Sequence, residues 1–398
     1  MASSRRIIAF INSGHFATHL LMLIYPTAVL AMAPAMDRPF SEMIGLALGG
    51  FILFGAGSMP AGWLADRWSR RHLMVVFFLG LGAATIATGF AQTPLHVAVG
   101  LASMGLFASI YHPVGTAMLV SHATRIGRDI GINGVWGNLG VAASALAAGA
   151  LADWLGWRWA FFVPGMVMIA LGLAFAALVP NEPNLRAAAR RHDSTFPRAV
   201  IIRALGLLVV MTLASGLVFN SISVGFPKLF EERLAWLAGS TFGVGAIVSL
   251  VYSVGAVAQL FMGWLVDRYP IKTGMLPIAI CMPVLLALAA TAEGVTLIVV
   301  GVVMILVMFG LVTINDATVA KYSVDAWRGR VYAIRYMITF GVSATAVPLV
   351  AYMHGAGGGF TGLFYLLAGF GVMFLTAAAA FPYRPDEIAP RAAPAPAE

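Results

Sequence analysis

Long apolar runs separated by short charged segments dominate this chain. Taking Asp, Glu, Lys and Arg as interruptions, the long runs are 7–36, 43–65, 72–124, 130–152, 159–181, 204–227, 234–266, 273–292, 294–315 and 336–383. A helix needs about 20 apolar residues to cross a bilayer. Eight of the runs are 20 to 33 residues long and hold one span each. The run 72–124 holds two, with a turn at Gln92-Thr93-Pro94, and 336–383 holds two, broken around Gly355-Ala356-Gly357-Gly358-Gly359. The pattern therefore predicts twelve transmembrane helices. Strands of a membrane barrel would alternate over about ten residues, and these runs are long and uniformly apolar. Without water, backbone groups must bond within the segment, which a helix allows.

Composition removes the soluble alternative. Of 398 residues, 60% are hydrophobic and only 10% charged, more apolar surface than a soluble protein of this size can hide. A net charge of +8 would suggest nucleic acid in a soluble chain, but here it belongs to the loops. With loops assigned alternately to two sides, 20 of the Lys and Arg residues fall on one side and four (Arg38, Arg158, Lys228, Arg233) on the other. The excess of positive charge marks the cytoplasmic side, so both termini are expected in the cytoplasm of a protein of the inner (plasma) membrane. Arg5 and Arg6 precede an apolar stretch longer than the core of a signal peptide, so the first helix is expected to stay as an anchor. The single cysteine, Cys281, excludes an intrachain disulfide and any CxxC metal or redox site.

The chain repeats itself at an offset of about 201. Gly62-Trp63-Leu64-Ala65-Asp66-Arg67 returns as Gly263-Trp264-Leu265-Val266-Asp267-Arg268, Tyr25-Pro26 as Phe226-Pro227, and Gly127-Arg128 as Gly329-Arg330. Three landmarks in one order argue for a duplicated six-helix unit. The expected organisation is an all-α integral membrane protein with a six-helix bundle over 1–180, a cytoplasmic linker over 181–203, a second six-helix bundle over 204–382 and a Pro/Ala-rich disordered tail over 383–398. Parallel six-helix halves place a substrate cavity between them near the membrane midplane.

Twelve spans, the 6+6 duplication and the loop motif Gly62-x-Leu64-x-Asp66-Arg67-x-Ser69-Arg70-Arg71 resemble the major facilitator superfamily. Gly156-Trp157-Arg158-Trp159-x-Phe161 is a second familiar piece. Within that superfamily, the segments around His15–Pro26 and Tyr111-His112-Pro113 resemble fosmidomycin-resistance-type exporters, although Val114 stands where those carry an acidic residue. The resemblance implies a gate built from Gly62, Asp66, Arg67, Arg70 and Arg71, and more weakly from Asp267 and Arg268, that locks the cytoplasmic face in one conformation.

Candidate chemistry sits in the few polar residues inside the spans, where ionisable groups are costly and functional by default. Asp316, beside Asn315 late in span ten, and Arg335, early in span eleven, stand on the same side and can pair or bind an anion. His15 and His19 are one turn apart and share a face of span one. His112 lies in span four beside Tyr111. Histidine titrates near neutral pH, so protons, if they are coupled, must be carried by His15, His19, His112 or Asp316. No carboxylate or cysteine accompanies the histidines in sequence, so no metal is expected. Asn133, Trp136 and Asn138 in span five, Asn220 in span seven, Tyr252 and Gln259 in span eight, and Tyr336 in span eleven complete the expected cavity. Asn220 occupies the repeat position of His19.

These residues point to a secondary transporter that exports a small organic molecule by alternating access, with proton exchange. A facilitator or importer of an organic anion is the alternative, and a membrane enzyme fits less well, because the longest loop carries no acid or histidine spacing that suggests a site. No cofactor is implied, and the absence of a P-loop argues against ATP drive. The expected partners are a small-molecule substrate, protons and the lipid bilayer, with no nucleic acid, and the chain is expected to be a monomer.

Overall fold

The computed structural model describes residues 2–123, 126–180, 196–323, 325–356 and 358–385. The side chains of Asp66 and Tyr336 lie outside the described residues, as do most of those in 325–334. So do the backbone of 181–195 and of 386–398, and with them most of the expected linker and tail.

Among the described residues, twelve helices are long and apolar enough to cross a membrane: α1 (Ser4–Ala35), α2 (Phe40–Ala65), α3 (Arg70–Gly89), α4 (Pro94–His122), α5 (Arg128–Leu155), α6 (Trp159–Leu178), α7 (Arg198–Arg233), α8 (Thr241–Val266), α9 (Ile271–Thr291), α10 (Gly294–Val319), α11 (Met337–Ala356) and α12 (Gly359–Ala380). Local sequence sets their ends. Thr93 caps α4, its hydroxyl accepting from the His96 amide at 3.3 Å with Pro94 at the first helical position. The turn into α12 uses Gly358 and Gly359, both at positive φ (90° and 57°). Large apolar side chains such as Leu250, Val257 and Leu260 point outward, as a lipid-facing surface requires.

Several helices extend past the charge-free runs, α7 and α11 furthest. α7 starts at Arg198 and continues through Lys228, Glu231, Glu232 and Arg233, and α11 belongs to a helix that begins at Asp325. Charged side chains are tolerated at helix ends beyond the hydrocarbon, where their long stems reach water. The helical stretch from Arg198 thus takes up the end of the segment 181–203 expected as linker.

The two halves repeat one packing scheme. α1 packs on α5 as α7 does on α11, α2 on α4 as α8 on α10, and α3 on α6 as α9 on α12. Side chains repeat as well. Arg71, at the start of α3, donates to the Val179 and Ala176 carbonyls at the end of α6 (2.6 and 2.5 Å). Lys272, 201 residues later at the start of α9, donates to Ala379 and Phe381 at the end of α12 (both 2.7 Å). Each basic side chain satisfies carbonyls that a helix end leaves unpaired, where a cation is also favoured by the helix dipole.

The halves meet along a seam that is tight on one face only. Call the face where α1 starts the near face. The packing between halves falls on far-face segments: residues 25–35 of α1 on α7, 40–56 of α2 on α11, and α5 on residues 241–253 of α8. There the Phe242 amide donates to Asp153 at 2.7 Å, capping the start of α8 from the other half. A Cβ added at Gly245 would stand 2.2 Å from the Ala145 carbonyl oxygen, so only glycine allows this approach. Residues 58–67 of α2, on the near face, make no comparable packing with the second half among the described residues.

Candidate functional site

A cluster of nitrogen-bearing side chains lies in the first half, between α1, α4 and α5. Helical spacing places Asn12, His15 and His19 on one side of α1. α4 departs from regular helix at Tyr111–Gly115, which forms one π turn. Pro113 offers no amide and its ring crowds the carbonyl four residues earlier, a known cause of such bulges. The extra residue in that turn brings Tyr111 and His112 beside α1. Their rings meet His15 at centroid distances of 5.0 and 5.4 Å, and His19 lies 5.6 Å from His112. Gly137 of α5 makes room for the His15 ring, since a Cβ there would lie 2.7 Å from it.

Hydrogen bonds fix the cluster. The Asn133 carbonyl lies 2.7 Å from His15 Nδ1, and a carbonyl can only accept, so Nδ1 carries the proton and Nε2 presents its lone pair. His19 Nε2–H donates to that atom at 3.2 Å. The Asn133 amide donates to Asn12 Oδ1 (2.9 Å) and to the Tyr111 hydroxyl (3.0 Å), which itself donates to the Ile11 carbonyl (3.0 Å). The ligating atoms of His15, His19 and His112 all lie within 4.8 Å of one another, and all three side chains are half-buried. No acidic side chain joins them among the described residues.

The second half holds a different polar site. A small cavity of about 70 Å³ opens between α7, α10 and the helix of α11, lined by Thr212, Phe219, Asn220, Asn315, Arg335 and Thr339 among others. Arg335 pairs with Asp316. The arginine side chain is 10% exposed and the aspartate 44%, so the carboxylate is the member of the pair that water reaches. Asn315 Oδ1 and Thr212 Oγ1, on two of the lining residues, are buried without a hydrogen-bond partner among the described residues. Lys321, about one turn beyond Asp316, donates to the Val266 carbonyl at 2.5 Å.

The other expected residues are distributed as follows. Asn138 donates to Gln259 across the seam between halves. Tyr252 is buried and donates to Ser223 at 3.1 Å, and Asn220 donates to the Gly216 carbonyl at 2.8 Å. Trp136 is 40% exposed and stands edge-on to Phe16. Of the loop motif, Arg67 lies over the Trp63 ring (4.0 Å) and Arg268 over Trp264 (4.6 Å), again 201 residues apart. Arg70 opens α3, Gly62 faces Pro113, and Asp267 ends the second helical segment of α8. Arg71, expected in the gate, contacts helix ends of its own half.

Thr212 and Phe54, which lies 5.8 Å edge-on to His112, belong to these sites and were not expected from the sequence. Asn12, three residues before His15 in the sequence, joins the cluster through the Asn133 amide.

Comparison with known proteins agrees with this architecture. The Major Facilitator Superfamily profile matches residues 10–345. The puromycin resistance protein pur8 of Streptomyces alboniger is 25% identical over 295 residues, covering 65% of this chain and 57% of that protein. The multidrug resistance protein MdtG of Escherichia coli O17:K52:H18 is 24% identical over 266 residues, covering 65% and 64%. The chain thus spans little more than half the length of these relatives. Among solved structures, a bacterial homologue of the human lysosomal transporter Spinster, inward-facing and occupied, superposes with a TM-score of 0.77 at 12% identity over 96% of both chains. The nucleoside transporter NupG gives 0.73 at 15% identity, over 94% of this chain and 99% of that one. The two relatives are named as resistance proteins, and the names of both solved neighbours refer to transporters. With twelve membrane-length helices in two repeated halves and polar sites between the helices, this chain belongs to the major facilitator superfamily and is a multi-pass membrane protein.

Proposed function

We propose that the chain is a secondary active exporter of a small organic molecule, moving its substrate across the inner membrane by alternating access in exchange for protons. The observation that carries this reading is the pairing of two polar sites, one per half, with a seam packed tightly on the far face only. Rocking the halves about such sites exposes them alternately to each side. Resistance proteins for puromycin and multiple drugs among the relatives favour export. The 20-to-4 split of basic residues supports a cytoplasmic near face, which makes the present conformation inward-open.

For coupling, the reading assigns the proton to Asp316. It is a half-exposed carboxylate paired with Arg335 on the facing helix. A proton arriving on Asp316 dissolves its pair with Arg335, and the freed guanidinium changes what the cavity can hold. The gate expected around Asp66 belongs to this proposal, on the motif alone. The organic-anion alternative is favoured by one observation, the nearly buried Arg335 beside the cavity.

The test is a thermal-shift screen of purified protein against metabolites and drugs, followed by flux of a stabilising compound in proteoliposomes. Accumulation that follows an imposed pH gradient is expected. Flux that ignores the gradient and runs only down the compound's own concentration refutes coupled export and favours the facilitator.

A further inference from the structure

We propose that His15, His19 and His112 form a binding site for a borderline transition-metal dication, with Zn²⁺ as the reference ion. The proposal is independent of the export reading, because it concerns an equilibrium property of the first half alone. Three features carry it.

Distance is the first. Zinc binds imidazole nitrogen at about 2.0–2.1 Å in tetrahedral geometry, which sets two ligand nitrogens about 3.3 Å apart. The Nε2 atoms of His15 and His19 already stand 3.2 Å apart. The whole trio lies within 4.8 Å, so the widest pair must close by at most about 1.5 Å, a distance that turning the His112 ring can cover.

Orientation is the second. Metal-bound histidines characteristically donate their other ring N–H to a carbonyl or carboxylate, which fixes the tautomer and aims the lone pair. His15 does this with the Asn133 carbonyl at 2.7 Å. The carbonyl is held by α5, whose Asn133 side chain is tied in turn to Asn12 on α1 and Tyr111 on α4. Tyr111 stacks on the His15 ring at an interplanar angle of 19°, and Phe54 covers His112 from α2. The lone pair on Nε2 is thus preset, at the point where the other two rings converge.

Donor chemistry is the third. Three neutral nitrogens without carboxylate or thiolate suit zinc, copper or nickel and poorly suit calcium or magnesium, which take oxygen. Three protein ligands leave a fourth position for water or for an anionic group, the arrangement of open rather than closed zinc sites. All three come from α1 and α4 of one half, so an ion held here does not tie the halves together.

The experiment uses the full chain, purified without a polyhistidine tag and stripped with chelator. Titration with Co²⁺ is expected to give the intense visible absorption of tetrahedral nitrogen-ligated cobalt, at one ion per chain, and Zn²⁺ is expected to displace it. H15A, H19A and H112A should each weaken Zn²⁺ binding by about 100-fold or more, since even partners behind the ligands are worth 10–100-fold. H96A and H122A, which remove histidines outside the cluster, should leave it unchanged. Cobalt that stays weakly coloured and octahedral on the wild-type chain overturns the proposal without reference to any variant. So does a folded H112A chain that binds Zn²⁺ as tightly as wild type.

Discussion

Replacing Gly245 by Ala should shift the transporter away from the conformation seen here. Gly245 lies in the part of α8 that packs against α5 on the far face. An added Cβ would stand 2.2 Å from the Ala145 carbonyl oxygen and 2.9 Å from the carbonyl carbon. Both are backbone atoms and cannot rotate aside. Restoring an ordinary contact requires the helices to part locally by about 1.2 Å. Overpacking of this kind costs about 1–3 kcal/mol, and only the state closed on the far face bears it. That corresponds to a shift of about 5- to 150-fold between the two states. Gly206→Ala is the control, because nothing lies within 4 Å of that position. Spin labels at Leu155 and Leu237, exposed on the far face of the two halves, in a Cys281→Ser background, read the separation by double electron–electron resonance. A longer-distance population should appear in Gly245→Ala and not in Gly206→Ala. Identical distance distributions in all three proteins, with unchanged flux, would show that the α5–α8 contact does not bias the equilibrium.

Three further outcomes follow from the same geometry. Asp66→Asn should yield folded protein with impaired transport; a wild-type rate in proteoliposomes removes the gating role assigned to the loop motif. Arg71→Leu deprives two carbonyls at the end of α6 of their donor, which should cost about 1–3 kcal/mol and lower the thermal midpoint of the purified chain; an unchanged midpoint shows that water replaces the guanidinium at no cost. Asp316→Asn removes the ion-pair partner of Arg335 and should leave substrate binding measurable while flux no longer follows an imposed pH gradient; a retained gradient response assigns the coupling proton elsewhere.

The twelve helices were legible because a bilayer penalises charge so strongly that its absence marks each span. The ends of α7 and α11 were less legible, because Lys228, Glu231 and Glu232 sit in helix where the penalty has faded. The duplication was visible at Asp66-Arg67 and Asp267-Arg268, and the structure extends it to Arg71 and Lys272, a pair that sequence identity does not reveal. What could not be read was proximity between helices. His15 and His19 share a face by spacing alone, but His112 joins them through the π turn before Pro113, a local irregularity that periodicity cannot supply. The use of Arg71 at a helix end of its own half, and the hydrogen bond between Asn138 and Gln259, depend likewise on packing.

Symmetry in the scaffold and asymmetry in the chemistry belong together. A transporter that rocks two like halves needs similar packing surfaces in each, and the α3–α6 and α9–α12 contacts repeat the same basic cap on helix-end carbonyls. A molecule that meets both halves must present different ends to them, so equivalent positions must diverge. His19 and Asn220 occupy one repeat position, and their surroundings differ completely. The first half gathers neutral nitrogen donors around His15, whereas the second places a buried guanidinium and a half-exposed carboxylate beside Asn315 and Thr212. On the proposed function, a substrate suited to both carries a hydrogen-bond donor or metal-chelating group at one end and a hydrogen-bonding or anionic group at the other. If so, variants in the two halves should fail differently: those at His15 or His112 through loss of the nitrogen site, and those at Arg335 through loss of selectivity for charge. A compound series altered at one end at a time distinguishes these outcomes, and equal losses in both sets of variants for every compound would argue that the two polar sites do not act on the same molecule.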